Sequence, residues 1–435
     1  MKKLITIFSE MRSYLLLWLT QLISGLGSAM TSYALVIWSY TQEGSALVTA
    51  LLMVCSYGPY VLCSIFAGAL SDRWDKKRTM LCCDALAALC TLSVLVLLKT
   101  GLLRVSHLYL VNAISGLMNT VQQPASEVAT TAVLPRKHYQ RVGGLRYLSS
   151  SLNSILTPVI ATAVLGLGGL DMVIAIDLGS FLIASIVLLF FIPVPKTNPE
   201  CRPKESLLRS AGEGIRYLQK NPGIFHLMLF LAAINLVASM YNAAFPAMML
   251  SKPEAGQQAM GIVNTVIGIT TLLGSLLAST LKTPGNRVKT IWYCLMLSMS
   301  TENFALAFGR SLPVWCAGAF LGWITIPLMD GNLDAIFRLT IPEEIQGRVF
   351  AARNSFQFFT IPVGYFLGGL MVDRVFEPVM AAQNQGSVLT RCFGAGKGSG
   401  AAFFFAVIGV LGVAVCLLFR ADRHIWKFRE SATDT

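Results

Sequence analysis

Charge is scarce in this chain. Asp, Glu, Lys and Arg make up 13% of its 435 residues, where a soluble protein carries about a quarter. With 54% hydrophobic residues and a mean hydropathy of +0.63, the deficit excludes a soluble globular fold. Histidine is scarcer still. The four (His107, His138, His226, His424) are dispersed at loops and segment ends, with no clustered nucleophile signature, so an enzyme is not expected. Cysteine is present ten times but without a Cys-x-x-Cys or Cys/His spacing, so neither a metal nor another cofactor is expected. Most of these thiols lie inside apolar runs and act as small hydrophobes. The Gly-Lys-Gly-Ser at 396–399 lacks the spacing of a phosphate loop, which leaves no nucleotide to drive the molecule. A net charge of +12 would suit nucleic acid, but no basic run is long or interleaved with aromatics.

What is present is a series of apolar runs. A bilayer-spanning helix needs about 20 apolar residues. Twelve segments reach that length: roughly 13–39, 46–70, 78–98, 107–131, 145–167, 171–192, 224–249, 259–281, 288–309, 312–337, 353–374 and 399–420. With the amino terminus inside, the outer connectors hold only Lys99, Arg104, Lys252, Arg310, Arg374, Arg391 and Lys397. The other 27 of the 34 cations fall inside. That asymmetry predicts a multi-pass protein of the cell membrane with both termini cytoplasmic. Met1-Lys2-Lys3 is read as a retained cytoplasmic cap, because no small-residue cleavage site follows a short apolar core.

One long inner connector, 193–223, opens with Pro193, Pro195, Pro199 and Pro203. Ser206 to Lys220 then reads as an amphipathic helix lying along the membrane surface. The connector divides the chain into 1–192, six helices, and 224–435, six more with a short tail. The halves share a pattern: Pro135, Arg141, Val142 and Arg146 all shift by 207 onto Pro342, Arg348, Val349 and Arg353. Glu127 shifts equally onto Asp334. Repeated halves of this kind build alternating-access carriers, with a site between them near the midplane.

The densest charge lies in Gly68-Ala-Leu-Ser-Asp72-Arg73-Trp-Asp75-Lys76-Lys77-Arg78, a tight connector between two apolar runs. It resembles the loop after helix 2 of the major facilitator superfamily, Gly-x-x-x-Asp-Arg-x-Gly-Arg-Arg/Lys. Gly68, Asp72, Arg73, Lys76 and Lys77 match in place and order, with Lys76 conservatively replacing an Arg. Asp75 replaces the second glycine, and a tolerated left-handed backbone there would keep a weakened turn. The Gly44-Ser-Ala, Ile176-Asp177-Leu-Gly-Ser-Phe181, Pro342-Glu-Glu-Ile-Gln-Gly-Arg348-Val349 and 394–400 stretches further resemble the macrolide-efflux and siderophore-export-like branch.

The resemblance implies an all-α membrane fold of two pseudo-symmetric six-helix bundles, exporting amphipathic small molecules by proton antiport. It also implies an inner gate: Asp72 against the start of helix 11, Arg73 with Glu127, and Asp334 with Arg348 or Arg353. Arg141 belongs to the same repeated loop. The plain alternative is that these interfacial charges only reach for water. Asp177, Glu302 and Asp330 are the proton-coupling candidates, because a charge at the bilayer centre costs about 2.5 kcal/mol or more; Asp84 lies near the inner end of helix 3. Helix 4 has no Asp-Arg relay. Gln21, Asn112, Asn119, Asn235, Tyr241 and Asn242 are the cavity candidates, and methionines and aromatics among scattered amides suit amphipathic ligands. The expected partners are that ligand, protons and the lipid bilayer, with the protein monomeric. The residues leave open another cargo, such as a lysolipid or an imported metabolite, and a non-transporting sensor.

Overall fold

A computed structural model describes residues 12–133, 139–192, 216–252, 255–282, 284–342, 349, 357–384 and 386–426. Side chains are described for these except at 13, 64–73, 127, 128, 130–133, 139–144, 146 and 147. Among the described residues all regular structure is helical, with no strand.

Helix α1 spans Arg12–Glu43, α2 Ala46–Arg73, α3 Lys76–Lys99 and α4 Val105–Val133. The continuous stretch Tyr139–Phe190 supplies α5 and α6, its two arms breaking at Gly169 (φ 66°, ψ −167°), a conformation that a side chain would oppose. Helix α7 is Pro222–Ser251, α8 Gly256–Thr280 and α9 Arg287–Phe308. Helix α10 is made of Leu312–Trp323 and Ile326–Thr340; α11 of Thr360–Met371, a π-turn at Val372–Phe376 and Glu377–Ala381; and α12 is Ser399–Arg420. Eight stretches are long and apolar enough to cross a membrane among the described residues, and Leu148–Phe190 is long enough to cross twice. With α4, α9 and α11 these make the twelve expected helices.

Three differences from the sequence reading have local causes. Helix 10, read as one run, turns at Ile324–Thr325, because Pro327 in the first turn of the second piece has no N–H to continue the ladder. Helix 11 runs beyond 374 and widens into a π-turn. Asp75 is not left-handed: at φ −62° and ψ 120° it is the N-cap of α3, and its carboxylate accepts from the Arg78 N–H at 2.8 Å. The glycine of the resembled pattern is therefore replaced by a helix start signal. Of the expected amphipathic helix in the long connector, Arg216–Lys220 is described and helical, and the earlier part lies outside the described residues.

The chain forms two compact units. One takes the chain up to Trp38 and then Cys55–Lys204. The other takes Ser39–Val54 with Glu205 onward. In the first unit α3 packs along α4 and the α5–α6 stretch; in the second α11 packs along α7, and α9 against α10 and α12. Leu62, Leu167, Phe190 and Leu418 point outward, which suits a surface solvated by lipid tails.

Candidate functional site

Each unit buries one carboxylate on a hydroxyl. In the first, Asp177 of α6 is 4% exposed, and Ser28 of α1 donates to its Oδ1 at 3.0 Å. Helices α1 and α6 approach closely at Gly27, where a Cβ would sit 3.0 Å from the Asp177 Cα and 2.5 Å from the Ser180 Oγ. In the second, Glu302 of α9 is 5% exposed, and Tyr241 of α7 donates its phenol O–H to Oε1 at 2.6 Å. The Tyr241 ring stacks on Phe245 and meets Phe405 edge-on at 5.3 Å. Gly322 of α10 leaves room for the carboxylate; a Cβ there would lie 2.9 Å from Oε2. Among the described residues no cation pairs with either carboxylate. Fully ionised, each would carry its charge in a dry environment at a cost of several kcal/mol.

Other expected residues fall elsewhere. Asp330 is exposed on α10, not buried. Tyr241, expected in a cavity wall, is buried against Glu302. Asn242, its neighbour, and Asn119 are exposed; Gln21, Asn112 and Asn235 are half-buried. Asn112 donates to the Leu108 carbonyl of its own helix at 2.9 Å, and Asn235 to the Gln357 carbonyl at 3.4 Å. Asp84 receives the Gln122 amide at 2.5 Å, so the amide of α4 serves a carboxylate of α3. The sequence held both residues but no sign of their pairing.

In the signature loop, Lys77 reaches from the first turn of α3 to the carbonyls of Leu189 (3.0 Å) and Ile192 (2.9 Å) at the end of α6. A cation there satisfies orphan carbonyls and the negative end of the helix dipole. Lys76 is buried and donates to the Trp74 carbonyl at 3.3 Å. Asp334 is exposed. The side chains of Gly68, Asp72, Arg73, Glu127 and Arg141, and the whole of Arg348, lie outside the described residues.

Residues 17–252, just over half of the chain, match the family described as Major Facilitator Superfamily. The chain belongs to this superfamily. It is a membrane transporter, multi-pass and non-enzymatic. Macrolide efflux protein A of Streptococcus pyogenes is 25% identical over 82% of this chain and 89% of its own length. The enterobactin exporter EntS of Citrobacter koseri is 24% identical over 80% of this chain and 79% of its own. Among solved structures, a bacterial homologue of the human lysosomal transporter Spinster superposes with a TM-score of 0.71 over 97% of this chain and 99% of its own, at 16% identity. A bacterial homologue of the iron transporter ferroportin gives 0.68 over 95% of this chain and 99% of its own, at 15%. These last two show the fold of the facilitator alone.

Two carboxylates of the second unit were not singled out in the sequence. Asp373 in the π-turn of α11 accepts from the N–H groups of Ala46 and Leu47 at 2.9 Å each and from the Ser45 hydroxyl at 2.5 Å. One turn later, Glu377 accepts from the N–H groups of Gly398 (3.0 Å) and Ala401 (3.1 Å). Each carboxylate fills the start of another helix. Their spacing of four along one helix was the only signal.

Proposed function

We propose that this carrier exports an amphipathic small molecule, of the macrolide or siderophore class, in exchange for protons, and that Glu302 holds the exchanged proton. The supporting observation is the Glu302–Tyr241 pair. A carboxylate that sits dry beside a hydroxyl and no cation can cross a transport cycle cheaply with a proton bound, and releases it when the site is wetted. The names of the efflux and siderophore-export relatives support the cargo class and direction. In this reading the halves 1–192 and 224–435 rock about the 193–223 connector, both termini lie in the cytoplasm, and a monomer suffices.

Asp72 is the inner latch, a carboxylate offered to the positive end of a helix, with Arg73, Glu127, Arg141, Asp334 and Arg348 as its ionic surroundings. The Asp72→Asn chain is expected to reach the membrane and lose transport. Undiminished transport would remove the latch.

The direct experiment is an accumulation assay in cells expressing the protein, offered a macrolide, a catecholate siderophore and a fluorescent amphipathic cation, with and without a protonophore. The proposal expects lowered accumulation of at least one compound, restored by the protonophore. Accumulation unaffected by expression, or lowered equally with the gradient collapsed, contradicts it.

A further inference from the structure

The turn between α1 and α2 is made by Gly44 (φ 61°). The first N–H groups of α2, which have no partner in their own helix, find one in α11. Asp373 accepts two of them and the Ser45 hydroxyl, while the same hydroxyl accepts from the Val48 N–H at 3.1 Å. One turn earlier on α11, Gly369 lets the helices touch: a Cβ there would lie 2.6 Å from the Leu47 Cα. The Tyr40 hydroxyl donates to the Ala247 carbonyl of α7 at 3.1 Å and accepts from the Ser251 hydroxyl at 2.5 Å. Lys397 lies over the Tyr40 ring at 5.7 Å. The hairpin Ser39–Val54 thus packs as part of the second unit, although the chain enters and leaves it through helices of the first.

Hydrogen bonds to a charged carboxylate are strong and directional, and water can replace every one of them. Such a joint holds firmly while dry, and water can take over its hydrogen bonds as it parts. π-turns recur at functional positions in helices, and Asp373 sits in one.

Building on the alternating-access reading above, we infer that Asp373 is a positioning residue of the transport cycle: a removable cap on α2 that closes the outer side of the carrier. Asp72 is proposed to offer its carboxylate to the start of α11 at the inner side. Asp373 of α11 offers its own to the start of α2 at the outer side. The two helices exchange roles at their two ends, so a charge-and-dipole joint guards each face.

The test needs no substrate, which separates its failure from failure of the export proposal. Ser39, fully buried in the hairpin, is replaced by the near-isosteric cysteine (Ser39→Cys) in a chain with exposed Cys392 changed to serine. Intact cells are treated with a membrane-impermeant maleimide. Adding Asp373→Ala is expected to raise the rate of Ser39→Cys labelling by about tenfold, with Asp373→Glu restoring slow labelling. Labelling of Cys316, near the outer start of α10, should keep its rate. An unchanged rate at position 39 overturns the inference, as does an equal rise at Cys316, which marks general loosening. If Asp373→Ala does not reach the membrane, Asp373→Asn, which keeps the shape and loses the charge, is read by the same criteria.

Discussion

Asp177 and Glu302 are two answers to one problem, a carboxylate inside a membrane protein. Both are nearly inaccessible and both take a hydroxyl from the first helix of their half. The surroundings differ. Ser28, which serves Asp177, is itself exposed, so water can share the load. Tyr241, which serves Glu302, is buried and walled by Phe245 and Phe405. The cost of a charge is set by how easily water reaches it. In the proposed cycle the same kind of acid is therefore a structural fastening in one unit and a proton store in the other.

The sharpest break between them is Glu302→Gln against Asp177→Asn. Glutamine keeps an acceptor for Tyr241 and cannot exchange a proton. Gradient-driven transport is expected to fall by about tenfold or more, a barrier change of about 1.4 kcal/mol, whereas Asp177→Asn should cost less than about threefold. Uptake assays in membrane vesicles would show the order, and a reversed order would dissolve the comparison.

Hydroxyl removal comes next. Tyr241→Phe leaves a buried carboxyl unsatisfied and should destabilise the protein by about 1–3 kcal/mol, while Ser28→Ala should cost under about 1 kcal/mol because water substitutes. Thermal unfolding in detergent reads both. Gly322→Ala pushes a methyl group against Glu302 and should cost about 1–3 kcal/mol through overpacking, with transport reduced alongside.

The smallest effect lies outside the membrane, where His226 of α7 bonds to Asp422 and the His424 N–H donates to the same carboxylate at 2.8 Å. Partial burial pushes the Asp422 carboxyl up, but these hydrogen bonds and the histidine charges outweigh it and hold the group below the usual aspartate range. A lowered carboxylate stabilises the fold above its unfolded pKa of about 3.9, and that contribution is lost as pH falls through the folded value. His226→Ala should lower the melting temperature by no more than about 2 °C near neutrality. The gap from the wild type should narrow as the pH drops below 4.

The helix count was legible because a bilayer writes its thickness into the chain as runs of about 20 apolar residues. Buried carboxylates were legible too, at Asp177 and Glu302, since a charged residue in such a run stands out. Their partners were not. Tyr241 precedes Glu302 by 61 positions and reaches from α7 to α9 with its hydroxyl, and no periodicity within either helix specifies that. The surroundings of Asp330 were not legible for the complementary reason: position along a helix gives depth, not the face, and its face is exposed. Asp373 escaped notice because it lies where charge is ordinary, at a helix end. Only the fold shows that the amides it caps belong to a helix more than 300 residues earlier.

Proton release on ligand addition tests the central claim most directly. Purified protein in lightly buffered detergent solution, given the compound identified by the accumulation assay, should acidify the medium, and the Asp177→Asn protein should do the same. The Glu302→Gln protein should bind the compound without acidification. Equal proton release by Glu302→Gln and the wild type would contradict the account.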